Sequence, residues 1–476
     1  MRKRDRSRPR AKFPGPRHAG RPACLSIHLG RREMFFSLDV LRARKGDCLM
    51  LHFGSEQDPH LILIDGGPSN VYQPFLKPRL QKIHETRELD ERDPLPVDVV
   101  MVSHVDDDHI KGILELTKEQ RTKSPDVRLD VTSLWHNSFD DLLKTKPDEL
   151  VAGFGTASVA ETAGQGEAGI DSGSVLASIG KQLQDEAEIE GETMHQTVEV
   201  LSSIPQGRTL RDDAKALGWK PNHKFKGKLI LATEAAKPVT LGDLKLTVVG
   251  PMQEQLLALQ EAHDEWLRAQ KEKKKKSPEA ALAAFVDESV PNLSSIVVLA
   301  ELGGKSMLLT GDARGDKILQ GMELAGLLEK GGNKHVDLLK VPHHGSDNNM
   351  ETIFFKRVPA DHYVFSGDGE HGNPERATLQ MLLDARGADA DYTIHLTYPL
   401  AEIDAGRKAD WGKEQAKEKA RKKKNPASRK EVRPDWSPEK HGLVAFFKDN
   451  PKMAKKLSIV EEDEPHLIDL LKPLKL

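Results

Sequence analysis

The chain has 476 residues, 37% hydrophobic and 30% charged, with a formal net charge of −3. That length allows one large or two ordinary domains with a full core; the near-neutral balance excludes the whole-chain basic character of a bulk nucleic-acid binder, and no apolar run reaches the roughly 20 residues that a membrane-spanning helix needs. Two cysteines, Cys24 and Cys48, exclude a disulfide framework and a Cys-based zinc site and fit a reducing, cytoplasmic setting, with Cys48 reading as a small buried hydrophobe.

Residues 1–33 are rich in Arg and Pro and lack the apolar stretch of a secretory signal. They read as a disordered basic extension or an over-called start, with folded patterning beginning at Met34. Residues 34–66 read as two or more strands, closed by the Asp65-Gly66-Gly67-Pro68 turn, and residues 75–92 as a charged helix. The apolar run Val97 to Val102 is a strand that stops in His104-Val105-Asp106-Asp107-Asp108-His109, and Ile110 to Ile113 opens the helix that follows. Two imidazoles and three carboxylates at one strand end put several metal ligands into a small volume. The plainer alternative is an acidic, solvated loop. An EF-hand calcium loop is excluded, because counting from Asp106 the sixth position is Lys111 rather than Gly and the twelfth is Thr117 rather than Glu.

The same terminal chemistry recurs along the chain. Arg128 to Leu134 runs into Trp135-His136-Asn137-Ser138. Between about 140 and 225 the β character is lost: 152–176 reads as a flexible loop or lid and 177–203 as helical, before strands return over 227–250. Residues 252–286 read as a charged helix carrying the basic run Lys271 to Lys276. Ser306 to Leu309 ends in Thr310-Gly311-Asp312-Ala313, and Val336 to Val341 ends in Pro342-His343-His344-Gly345-Ser346. Beyond residue 400 lie Trp411, a second basic run, Lys413 to Lys424, then Trp436 and Leu443 to Phe447 as a final strand. A lone His136 is more often a satisfied polar residue than a ligand, and Asp312 alone could be a helix N-cap. Four strands that share one terminal chemistry point instead to one shared site. The basic runs read as solvated helix faces or inserts, the alternative being a salt-sensitive tether for a phosphate backbone.

The pattern His-x-Asp-x-Asp-His at His104, Asp106, Asp108 and His109, followed by His136, Asp312 and a final His, resembles the metallo-β-lactamase-fold hydrolases, with Asp106 in place of that superfamily's second His. Together with Lys45-Gly46-Asp47-Cys48-Leu49, Leu63-Ile64-Asp65-Gly66-Gly67, Asn292 to Val297 and Leu339 to Ser346, it is similar to the ComEC-like hydrolase-domain branch over about residues 35–375. The Gly-His-Pro usual in that branch is replaced by Glu370-His371-Gly372-Asn373-Pro374, and the channel portion of the competence protein is absent, so DNA import does not follow.

Pattern alone supports mixed α and β. The resemblance implies an α/β, four-layer αββα sandwich over 34–400, with an insertion or lid at about 140–225, a charged helix at about 252–286, and residues 401–476 completing or flanking the domain. It further implies two divalent cations, Zn2+ or Mn2+. One would be held by His104, Asp106 and His136 and the other by Asp108, His109 and His344, with Asp312 bridging; the assignments of His343 and His344 could be reversed. Asp108 and His343 are the catalytic candidates, His343 to stabilise charge or protonate a leaving oxygen. Ser346 and His371 would contact substrate. The implied reaction is hydrolysis of a phosphodiester by a metal-bridging hydroxide, on DNA, RNA or a nucleotide-like molecule. Hydrolysis of a thioester, lactone or phosphocholine ester is the second reading, and a catalytically idle scaffold the third; an intact ligand set argues against the third.

Overall fold

Strand and helix alternate so that polar turns fall at the ends of buried apolar runs. The computed structural model describes residues 33–137, 206–256, 294–427, 431–460 and 464–476. In chain order the strands are β1 Met34–Val40, β2 Leu49–Ser55, β3 Asp58–Ile64, β4 Leu95–Met101, β5 Leu129–Trp135, β6 Lys220–Pro221, β7 Val239–Leu241, β8 Leu244–Gly250, β9 Val297–Leu302, β10 Lys305–Leu309, β11 Val336–Lys340, β12 Ala360–Phe365, β13 Thr393–Leu396, β14 Leu457–Ile459 and β15 Leu467–Asp469. The helices used below are α1 Lys77–Thr86, α2 Asp107–Gln120, α3 Gly315–Leu324, α4 Thr352–Arg357, α5 Arg376–Arg386, α6 Leu400–Lys424 and α7 Leu443–Asp449.

Two sheets result. The first has the order β15-β1-β2-β3-β4-β5-β6 and the second β14-β13-β12-β11-β10-β9-β8-β7. Each has an antiparallel part that gives way to a parallel part: β1–β2 and β2–β3 are antiparallel and β3–β4 and β4–β5 parallel, while β8–β9 and β9–β10 are antiparallel and β10–β11, β11–β12 and β12–β13 parallel. Three apolar clusters define the layers. One, with Phe36, Leu51, Ile62, Val99, Leu246, Val298, Met307 and Leu338, lies between the sheets. A second joins Leu63, Val100 and Leu134 of the first sheet to Leu80 of α1 and Ile113 and Leu116 of α2. The third joins Leu308, Leu339 and Tyr363 of the second sheet to Ile318 of α3, Phe354 of α4, Leu379 of α5, Ile403 of α6 and Phe446 of α7. Helix, sheet, sheet, helix is the expected αββα sandwich. Because both sheet faces are covered, central strands such as β2 and β11 are buried nearly end to end rather than alternating.

The carboxyl ends of parallel strands open into loops where ligands are commonly bound, and the candidate residues sit there: Asp65 after β3, His104 after β4, His136 after β5, Asp312 after β10, His343 and His344 after β11, Ser366 after β12. Close backbone approach seats α2 against this rim. Gly66 and Gly112 touch, so that a Cβ on Gly112 would stand 1.9 Å from the Gly66 carbonyl oxygen.

One strand expectation is corrected. Leu443 to Phe447 is part of helix α7, burying Leu443, Phe446 and Phe447 at spacings of three and four; a five-residue apolar run does not distinguish the two periods. The charged helix expected over 75–92 stops at Thr86. Residues after 400 supply β14 to the second sheet and β15 to the first, and the run Lys413 to Lys424 lies on the solvated later half of α6. The 152–176 loop, the 177–203 helix and nearly all of the 252–286 helix lie outside the described residues. Among the described residues no helix is long and apolar enough to cross a membrane.

Candidate metal centre

Local sequence chemistry leaves the acidic residues at the start of α2 unspent. Asp106 holds the N-cap position, its carbonyl accepting from the amides of His109 and Ile110 at 3.0 Å each, but its carboxylate makes no capping bond. Its Oδ2 instead stands 3.5 Å from His104 Nε2. After β11 the backbone turns through two successive left-handed residues, His343 (φ 48°) and His344 (φ 53°). Such residues cost about 1–2 kcal/mol each and persist where surroundings hold them. Here His343 N–H donates to the Gly311 carbonyl at 3.1 Å and Ser346 N–H to the His343 carbonyl at 2.9 Å. Asp312 is not an N-cap, since α3 begins at Gly315 behind Arg314.

Asp312 is the hub. Its Oδ1 lies 3.3 Å from His109 Nε2 and 3.5 Å from His344 Nε2, and its Oδ2 lies 3.8 Å from His104 Nε2 and 3.6 Å from His343 Nε2. Asp108 is 3.9 Å from both His109 Nε2 and His344 Nε2. These separations exceed good hydrogen bonds. The two Asp312 Oδ1 separations, 3.3 and 3.5 Å, are close to the ligand-to-ligand edges, roughly 3.3–3.4 Å, of a tetrahedral shell with bonds of about 2.0–2.1 Å; the others are wider.

The outer nitrogens explain why the inner ones converge. His109 Nδ1 donates to Asp65 Oδ2 at 2.9 Å. His104 Nδ1 donates to Ser103 Oγ at 3.0 Å, and that hydroxyl donates onward to Asp65 at 2.7 Å. His344 Nδ1 donates to Ser366 Oγ at 2.9 Å, and that hydroxyl donates onward to Asp47 Oδ1 at 2.5 Å. Each imidazole therefore keeps a proton on Nδ1 and turns Nε2 toward the cluster, the arrangement that outer carboxylates impose on metal-binding histidines. Asp47 is in turn ion-paired to Lys340, and both side chains are fully buried.

Burial alone would depress the imidazole of His109, but Asp312, Asp65 and Asp108 outweigh it and hold it well above its usual range. His344 is pushed up to about 9 against its burial, chiefly by Asp312 and Asp47. Asp312 and Asp108 stay low despite burial, His109 being the largest opposing charge for each. For His343 burial wins over Asp312, and its imidazole titrates below the usual range.

The residues fit a cation. Five buried atoms here, Nε2 of His104, His109 and His344, Oδ1 of Asp106 and Oδ1 of Asp312, have no hydrogen-bond partner among the described residues. Each buried polar atom left so costs about 1–3 kcal/mol, a cost that bound divalent cations would offset. Nitrogen and oxygen donors without sulfur suit zinc or manganese rather than copper(I). Among the described residues two groups could hold an ion by proximity: Asp47, His109, Asp312 and His344; and His104, Asp108 and His109.

Of the residues expected from sequence, His104, Asp106, Asp108, His109, Asp312, His343 and His344 come together. His136, like Asp106 and His343, belongs to neither group; it is buried after β5, its backbone N–H donating to Asn222 Oδ1 and its carbonyl accepting from Asn222 Nδ2, with Gly207 against its ring. Ser346 is buried and reaches Glu375 at 3.4 Å, and His371 Nε2 meets Lys45 Nζ at 2.8 Å. Sequence reasoning gave no role to Asp65, Asp47, Ser103, Ser366 or Lys340. Asp65 and Asp47 did stand inside motifs, and an acidic residue at a strand end was the signal.

Residues 56–186 match the family model of the metallo-beta-lactamase superfamily. A domain of that superfamily beside a buried His/Asp cluster able to hold metal points to a metal-dependent hydrolase. Short stretches are also similar to microtubule-associated protein 1A. The human protein is 35% identical over 94 residues, 20% of this chain and 3% of that protein, and the rat protein 43% over 61 residues, 12% and 2%. The chain thus spans about 3% of the length of the human relative, and these short matches carry no functional assignment here.

Proposed function

We propose that the chain is a binuclear metal-dependent phosphodiester hydrolase acting on nucleic acid or a nucleotide-like substrate. The observation that carries this reading is the division of the cluster by Asp312, whose two oxygens face different imidazoles. His104, Asp106 and His136 would hold one cation, Asp108, His109 and His344 the other, and Asp312 both. When bound, zinc or manganese ions supply Lewis acidity toward a phosphoryl oxygen and acidify water.

The chain's own residues do the rest. Asp65 and Asp47 fix the imidazole tautomers, and the apolar layer between the sheets keeps water from the floor of the site. His343, partly exposed and neutral at neutral pH, stands beside Asp312 to stabilise charge or pass a proton at a departing oxygen. Ser346 and His371 line the substrate side. A mainly carboxylate-and-imidazole pair of sites suits an anionic phosphoryl group, which can face two cations at once.

Purified protein with manganese or zinc should hydrolyse bis-p-nitrophenyl phosphate or single-stranded DNA, with about two metal ions per chain by elemental analysis. Asp312→Ala and His109→Ala should each abolish turnover. Unchanged activity in both variants would overturn the site, and turnover of neutral esters alone would overturn the substrate class.

A further inference from the structure

We infer that the outward face of the later half of α6, carrying Lys413, Lys417, Lys419, Lys423 and Lys424, docks the sugar-phosphate backbone of a nucleic-acid strand, which makes the substrate a polymer. The inference rests on the phosphodiester reading above and narrows its substrate class. From Gly412 to Lys424 every exposed residue is Lys, Ala or Gly, and neither Glu414 nor Glu418 is among them. Helical spacing sorts these residues into rows. Lys413, Lys417 and Lys424 form one, Lys419 and Lys423 a second, and Ala416 and Ala420 lie between the two.

The opposite face is already covered. Trp411 Nε1 donates to the Pro434 carbonyl at 2.8 Å, Gln415 Nε2 to the Arg433 carbonyl at 3.0 Å, and the Arg433 amide and Nε both donate to Glu418, at 2.7 and 2.8 Å. Residues 431–436 thus brace a stretch of helix that the core does not need, since the buried residues of α6 are Ile403 and Arg407, in its first third. Its root lies on the loop after β12. A Cβ on Gly369 would stand 2.0 Å from the Ile403 carbonyl oxygen, and Arg407 Nε donates to the Gly372 carbonyl at 2.9 Å. That loop begins at Ser366, whose hydroxyl meets His344 Nδ1 at 2.9 Å. The lysine face starts about 15 Å along the axis from Ile403, at 1.5 Å per residue. A polymer can span that interval and a mononucleotide cannot.

Charge decides what the face is for. Seven Lys and Arg stand against two Glu over 413–424, and Glu431, Arg433 and Asp435 of the bracing segment lower the net charge only from +5 to +4. Lys417 donates to Glu414 at 2.6 Å and Lys419 to Gln415 Oε1 at 2.8 Å, so the rows have neighbours of their own, and the excess positive charge is what a partner meets. Lys413 with Lys417, and Lys419 with Lys423, are like-charge pairs four residues apart, which destabilise a helix by themselves. The helix dipole accounts for a basic last turn but not for Lys413, Lys417 and Lys419, which precede it. A helix that lies on anionic lipid carries Trp, Phe or Leu beside its basic face, and the exposed residues here include none. A protein partner would want an apolar anchor among the charges. A phosphate backbone asks for positive charge and close approach, and the alanines between the rows leave room for it.

The test is the fluorescence anisotropy of a labelled oligothymidine strand titrated with the full chain, chelator being present to prevent cleavage. Wild type should lose about a hundredfold in affinity between about 50 and 200 mM salt, the slope of about five phosphate contacts. The variant Lys413→Gln/Lys417→Gln/Lys419→Gln/Lys423→Gln/Lys424→Gln should bind at least about thirtyfold more weakly at the lower salt and lose most of that slope. The same five positions changed to Arg should keep wild-type affinity within a few-fold. Turnover of bis-p-nitrophenyl phosphate by the manganese-loaded Gln variant should match wild type, because so small a substrate does not reach the face. Strand affinity within twofold of wild type in the Gln variant, or a wild type that binds no strand, overturns the inference and leaves the hydrolase reading to the small substrate. Tighter binding to phosphatidylcholine vesicles with about 30% phosphatidylserine than to the strand would overturn nucleic acid as the occupant. If the strand binds as expected but bis-p-nitrophenyl phosphate is not turned over with manganese or zinc, the docking face stands and the hydrolase reading falls.

Discussion

Replacing Lys340 by Met tests the ion pair beneath the metal centre. Lys340 is 0% exposed and Asp47 1% exposed. Lys340 is the largest of the charges that hold the Asp47 carboxyl far below its usual range against its own burial. Removing one partner of a buried pair strands the other, at a cost of about 3–5 kcal/mol. The Ser366 hydroxyl, donating at 2.5 Å, and His344 Nδ1, 3.4 Å away, remain, which places the expected loss at the lower end, about 3 kcal/mol. Asp47→Asn strands the ammonium instead and should cost a similar amount. The double variant Lys340→Met/Asp47→Asn removes both charges and should return to within about 1.5 kcal/mol of wild type, a coupling of several kcal/mol. Urea unfolding of chelator-treated protein isolates the term, because bound cation would add its own stabilisation. A Lys340→Met protein as stable as wild type, or a coupling near zero, would refute the argument that this pair joins the two sheets.

Three further outcomes follow from the same network. Asp65→Asn weakens the anchor of His109 and of the Ser103 relay and should lower metal affinity about 10–100-fold, read by competition with a chromophoric chelator; unchanged affinity would show that the outer carboxylate is idle. His344, raised to about 9, and His109, held well above its usual range, are protonated at neutral pH in chelated protein, so each must lose a proton on metal loading. Affinity should climb with pH through the neutral range, the His344 contribution levelling off above about 9, with proton release visible in buffers of different ionisation enthalpy; a flat profile from pH 6 to 8 contradicts the geometry. Away from the site, His395 and His466 are joined in one hydrogen bond of 3.0 Å and pushed down by burial to about 2 and about 4. A depressed histidine contributes stability that is present above its unfolded value near 6.5 and is lost as pH falls toward the folded value. Unfolding midpoints should therefore drop between pH 6.5 and 4, and His466→Asn should flatten that slope; an unaltered slope would remove these groups from the acid response.

What the sequence disclosed follows from where each contribution is encoded. His104, Asp106, Asp108 and His109 are contiguous, so their convergence needs only one strand end and one helix start. Asp312 and the His343-His344 pair close short apolar runs whose period is legible without a partner. Asp65 and Asp47 act on imidazoles 44 residues and almost 300 residues away in sequence, and each has a glycine beside it, Gly66 and Gly46, so locally they read as turn formers. Lys340 interrupts an apolar strand, and nothing local says that a carboxylate from the other sheet awaits it. Ser366 looks like any strand-end serine until the sheets are stacked. The misread Leu443 to Phe447 shows the same limit, since helical burial there depends on contacts with α6 and α5 rather than on a pattern within five residues.

The distribution of charge between the sheets makes metal site and fold a single problem. His104 and His109 are oriented wholly from the first sheet, through Ser103 and Asp65. His344 belongs to the second sheet but is oriented by Asp47, which the first sheet supplies, and Asp47 is neutralised by Lys340 of the second. Separated, the first sheet would keep an unpaired carboxylate and the second an unpaired ammonium. A chain with no use for a cation would be more stable with apolar groups of similar size in these places, since a buried ion pair is often worth less than good packing. Five inward-facing atoms with no hydrogen-bond partner among the described residues add a further penalty of several kcal/mol. Retaining both is understandable if binding an ion returns that free energy, and it places the cost of the site at the seam where the two sheets must meet.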